Sequence, residues 1–72
     1  MLVKEYVRLD YADGKRKFNV VLDHVNVFAG HWPKGTAKED ASKTVVTMGN
    51  GMVMLLDVSV ENFRKTLAAY KK

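Results

Sequence analysis

Two histidines, His24 and His31, and the carboxylates Asp23, Glu39 and Asp40 around them are the residues whose types can do metal or acid–base chemistry. A transition-metal site needs three or four such ligands converging, and neither spacing that achieves this from one helix, H-x-x-x-H or H-E-x-x-H, is present. Nucleophilic chemistry is poorly provided for: there is no cysteine, and neither Ser42 nor Ser59 sits in a G-x-S-x-G turn or has a base beside it in sequence. Gly49 and Gly51 flank Asn50 without the following lysine and hydroxyl residue of a phosphate loop. Asp10 and Asp23 remain as a possible carboxylate pair, and the strand register derived below gives each a lysine instead. The expectation is a protein that is not an enzyme, with no catalytic residue, metal or cofactor.

Binding is the better-supported chemistry. The chain carries a net charge of +4, concentrated at Lys15, Arg16 and Lys17 and again at Arg64, Lys65, Lys71 and Lys72. Together with Tyr6 and Tyr11, the first cluster has the residue types that grip single-stranded nucleic acid: cations for phosphates and aromatic faces for bases. The acidic residues Asp10, Asp13 and Asp23 lie among these lysines and weaken that reading. Basic residues near a helix C-terminus also favour the helix dipole without any ligand. A protein partner would use other residues. His31, Trp32 and Pro33 can present an aromatic anchor, although Trp32 can equally fold back to cap an open edge of the core, and Met52, Met54 and Leu56 offer an adaptable apolar surface.

These residues need elements to position them. Asp13-Gly14 and Asn50-Gly51 are the pairs that supply the positive φ angles of type I′ hairpin turns. Centring the first turn there sets Leu9 opposite Phe18, Val7 opposite Val20 and Glu5 opposite Leu22. The other face then holds Asp10 against Lys17 and Lys4 against Asp23, two opposite-charge pairs. Centring the second turn sets Val46 opposite Leu55 and Met48 opposite Val53, with Val45 opposite Leu56 and Thr47 opposite Met54. This hairpin is apolar on both faces, and a strand apolar on both faces is usually buried on both.

Near Asp23 and His24 the inward phase shifts, so residues 25–28 form either a third short strand or a bent continuation of the second. Residues 29–43 break any period and read as a long loop, with 34–42 mobile or only locally ordered for want of a buried anchor. Ser59 is a good N-cap, Glu61 lies in the first turn, and Val58 and Phe63 occupy the hydrophobic-staple positions. Val60, Phe63, Leu67 and Tyr70 then recur on one helical face. The reading is a single α+β domain, a small antiparallel β-meander of four to five strands packed by one C-terminal helix. Its parts are a hairpin over 2–22, a short strand over 25–28, the 29–43 loop, a hairpin over 44–57 and a helix over 59–71.

Seventy-two residues lie near the size at which one core barely offsets chain entropy, and oligomerisation is the usual remedy. A homodimer joined through the surplus apolar face of the second hairpin is expected. The absence of cysteine fits a reducing compartment, and cytoplasmic is the expected location. No apolar run approaches the ~20 residues of a membrane helix, and the N-terminus lacks the features of a signal peptide, so the chain is expected to be soluble and complete.

The stretch from Lys43 to Phe63, with Thr44, Val46, Met48, Asn50-Gly51, Ser59 and Glu61, resembles the T-x-I-x-L-x-N-G pattern and the capped helix start of small bacterial flagellar and swarming-motility proteins. Upstream, Arg8-Leu9, Asp13-Gly14 and Phe18-Asn19-Val20 resemble the opening segment of that family. The resemblance implies a short, non-enzymatic regulatory protein of bacterial or phage origin. The chain departs from the pattern in its His31-Trp32-Pro33 loop, its longer first hairpin and Val58 directly before the cap. The order of strands followed by one helix is also similar to dimeric single-strand nucleic-acid binders of the transcriptional-coactivator type, which implies the nucleic-acid alternative.

Overall fold

The computed structural model describes residues 2–10 and 15–70. They form β1 (Val3–Arg8), β2 (Arg16–Val21), a 3-10 turn (Leu22–His24), β3 (Val25–His31), β4 (Asp40–Met48), β5 (Val53–Leu56) and α1 (Val60–Tyr70). The strands make one antiparallel sheet in the order β2-β1-β5-β4-β3, and the helix packs on it, which is the small α+β meander expected.

β2 and β3 are consecutive in the chain yet lie at opposite edges of the sheet. From Val21 to Val25 the chain takes four Cα steps, at most about 15 Å, whereas the outer strands of a flat five-stranded sheet lie about 19 Å apart. The sheet therefore curls until its edges approach. Residues 25–28 belong to a separate strand, and the phase shift at Asp23 is the 3-10 turn that carries the chain between edges.

Both expected hairpin registers are corrected. In the first, Tyr6 stands opposite Phe18, Lys4 opposite Val20 and Val7 opposite Lys17. This is an odd shift from the register centred on Asp13-Gly14, so β1 presents its other face to the core. The reason lies in what each face can bury. Tyr6 brings an aromatic ring 5.6 Å from that of Phe63, a larger apolar contact than Val7 offers. The expected ion pairs are not made. Asp10 is held by the Arg8 guanidinium through contacts of 2.6 and 2.9 Å, and Asp23 accepts from the Tyr70 hydroxyl. Asp13 and Gly14 themselves lie outside the described residues.

In the second hairpin Thr44 pairs with Leu56, Val45 with Leu55, Val46 with Met54 and Thr47 with Val53. The loop is Gly49-Asn50-Gly51 rather than two residues. Gly51 has φ +89° and no non-glycine residue described has a positive φ, so Asn50 cannot adopt a type I′ turn. The Gly51 N–H donates to the Met48 carbonyl at 3.0 Å and the Met48 N–H to that of Met52 at 2.8 Å, as in a three-residue loop with a left-handed glycine. One added loop residue moves every pairing by one place and exchanges the two faces.

The concave side holds Val20, Leu22, Val46, Met54, Leu56, Phe63 and Leu67. Phe63 lies at their centre, 5.2 Å edge-on from Phe28. α1 begins as its sequence requires: the Asn62 N–H donates to the Ser59 hydroxyl at 3.1 Å, and Val58 packs on the core beside it. Thr44 is the one buried polar residue among those described, and its hydroxyl donates to the Val58 carbonyl at 2.7 Å. That bond ties β4 to the turn leading into α1.

Candidate interaction surfaces

The convex side of the sheet is built by the same registers. Directly paired residues share a face, so Val27, Thr47 and Val53 form one row across β3, β4 and β5, and Ala29, Val45 and Leu55 form the next. Leu9 extends the second row, its N–H donating to the Leu55 carbonyl at 2.8 Å. No charged side chain interrupts these rows. Val27 is 56% exposed and Val53 53%, because α1 lies on the concave side. Lys43, Asp57, Glu5 and Lys17 stand around the patch. An apolar area of this kind with a charged rim is the usual form of a protein-docking surface.

A second feature lies where the curled sheet fails to close. A groove of about 710 Å³ opens between β2 and the β4–β5 loop, lined mainly by Phe18, Val20, Val21, Met48, Met52 and Met54, with Asn19, Asp23, His24 and Asn50 at its polar margin. Its methionine walls can adjust to an occupant. No single stretch of sequence reveals this groove, since it needs β2 and residues 48–54 to meet across the gap left by the strand order.

The loop expected over 29–43 is shorter, because β3 continues to His31 and β4 starts at Asp40. Residues 40–42 are therefore strand. The remainder carries local order: the Thr36 N–H donates to the Pro33 carbonyl at 3.1 Å and Gly35 has φ +84°, which together make a type II turn. The Thr36 hydroxyl lies between the carbonyls of Pro33, at 2.9 Å, and Lys38, at 3.2 Å, and its one proton serves either of them. Asp40 accepts from the Ser42 hydroxyl and N–H and from the Lys43 ammonium, donors that hold its carboxyl down at about 2. Gly30 is buried where a Cβ would meet the Glu39 side chain, at a register shift between β3 and β4.

Of the residues singled out for partner binding, Met54 and Leu56 are withdrawn into the core, at 4% and 0% exposure. The shifted register puts Val53 and Leu55 on the surface in their place. Met52 is 46% exposed on the groove rim. Trp32 is 56% exposed and does not fold back to cap the core. Beside it Pro33 and His31 are half-buried, and His31 Nδ1 has no hydrogen-bond partner.

Of the residues named for nucleic acid, the described ones are not brought together on one surface. Lys15, Arg16 and Lys17 are exposed at the start of β2, but Tyr6 is turned into the core against Phe63, where burial pushes its hydroxyl pKa up. Tyr11 lies outside the described residues. Among the described residues no three of the His, Asp and Glu side chains converge as a metal site would require. No helix described is long and apolar enough to cross a membrane.

No known protein family, curated protein or solved structure matches this chain.

Proposed function

We propose that this chain is a small non-catalytic protein-interaction module of regulatory type, working as a homodimer and docking a protein partner on the convex face of β3, β4 and β5. The observation that carries the reading is the uncovered pair of largely apolar rows, Val27-Thr47-Val53 and Ala29-Val45-Leu55, on the side opposite α1. Apolar side chains in contact with water favour association by roughly 25 cal/mol per Å² removed from solvent. Trp32, near the same end of the sheet as Ala29, adds an aromatic anchor of the kind enriched at interface hot spots.

The test is affinity capture from a bacterial lysate, with and without nuclease, using the wild-type chain and a Val27→Lys/Val53→Lys variant. Both positions are solvent-facing, so the variant keeps its fold. The reading predicts a protein retained by the wild type after nuclease and lost by the variant. Retention that vanishes with nuclease and persists in the variant would replace it with the nucleic-acid alternative, centred on Lys15, Arg16 and Lys17.

A further inference from the structure

We propose that the dimer forms by antiparallel pairing of β2 with β2 of a second copy, about a two-fold axis at Asn19. The inference rests on the dimeric reading above and names its interface.

Three observations place the second copy there. The first is main-chain chemistry. The Leu22 N–H donates to the Leu2 carbonyl, so in the β1–β2 ladder the even residues of β2 exchange bonds with β1, and the odd ones turn their groups outward. β2 is an edge strand. The N–H and C=O of Lys17 and Asn19 and the N–H of Val21 thus face the open side.

The second is the contrast between edges. β3, at the far edge, is broken by register shifts at Val25/Val27 and Gly30/His31, devices that spoil an edge for pairing. β2 pairs with β1 without a shift over its whole length and contains no proline. One edge is blunted and the other is regular.

The third is self-complementarity. The segment runs from the basic Lys15, Arg16 and Lys17 through Phe18 to Leu22 to the acidic Asp23. Antiparallel pairing centred on Asn19 sets Lys17 of each copy opposite Val21 of the other and brings the basic start of β2 in one copy toward the Leu22–His24 turn, which carries Asp23, in the other, keeping the two basic clusters apart. Asn19 exchanges both main-chain bonds with its counterpart, and each Val21 N–H donates to a Lys17 carbonyl. The groove opens along this same edge. It receives the half-buried Phe18 of the other copy against Met48 and Met52.

The chain has no native cysteine, so single-cysteine variants of the full chain report the interface directly. Asn19→Cys places its thiols across the two-fold, on Cα atoms about 5.5 Å apart in a pair of this type, and a short bifunctional thiol reagent should yield a covalent dimer. Val53→Cys, on the convex face, should not. Asn19→Pro removes an outward-facing N–H while leaving the β1–β2 ladder intact, which edge strands tolerate, and should shift sedimentation equilibrium from dimer to monomer. A dimer that cross-links through Val53→Cys and not Asn19→Cys, or that survives Asn19→Pro, would overturn this interface and leave the dimeric reading standing. A wild-type chain that stays monomeric at high micromolar concentration and does not cross-link at either position would overturn both.

Discussion

Thr44 shows how one polar side chain can be worth keeping in a core of aliphatic residues. It is fully buried, and its hydroxyl satisfies the Val58 carbonyl. Replacing it with valine keeps the shape and leaves that carbonyl without a partner, a loss of about 1–3 kcal/mol. Urea unfolding of Thr44→Val should show a lower midpoint with an unchanged slope. Asp40 makes a prediction about pH. Its folded pKa, about 2, lies below the ordinary carboxylate value of 3.8 because Ser42 and Lys43 donate to the charged form. The contribution of a depressed carboxylate is complete above its unfolded pKa and is lost as pH falls through the folded one. The order at the start of β4 should therefore hold at pH 4 and fade toward pH 2. An NMR titration of the Ser42 amide should have its midpoint near 2, and a midpoint near 3.8 would show that the Asp40 bonds do not form in solution.

At the scale of elements, what sequence made legible was local chemistry, and what it hid was the count of residues in a turn. The Ser59 cap, the staple and the buried face of Val60, Phe63 and Leu67 were all readable because a helix is specified within its own turns. Ser59→Ala should cost about 1 kcal/mol. Both hairpins are legible in outline but not in register: in the second, Asn50-Gly51 is compatible with a two-residue and a three-residue loop, and one residue decides which face of β5 is buried. The same residue decides the partner surface: a two-residue loop would expose Met54 and Leu56, whereas the three-residue loop buries them and turns Val53 and Leu55 outward. Glycine substitutions test the revised loop. At Gly51 a Cβ meets nothing within 4 Å, so Gly51→Ala pays only for the left-handed backbone, roughly 1–2 kcal/mol. Gly49 has no such φ, and its Cβ would rest in ordinary contact with the His24 carbonyl, so Gly49→Ala should change thermal stability far less. Equal losses at the two positions would contradict the three-residue loop.

For the whole molecule, the strand order explains what no local pattern could. Placing β2 and β3 at opposite edges, joined by a 3-10 turn, curls the sheet around one helix and leaves a groove on one side and an apolar convex face on the other. Of the two tyrosines expected to stack bases, Tyr6 is taken up by the core, and Tyr11 lies outside the described residues. The outward features are the aliphatic convex face, the exposed Trp32 and the basic start of β2, and it is the convex face that is continuous across strands. Methyl NMR of the full chain, titrated with the protein retained in the capture experiment, tests this most directly. Shifts should concentrate at Val27, Val45, Val53 and Leu55 while Val20 and Val46 hold still, and shifts confined to residues around Lys15, Arg16 and Lys17 would rule out the convex face as the docking surface.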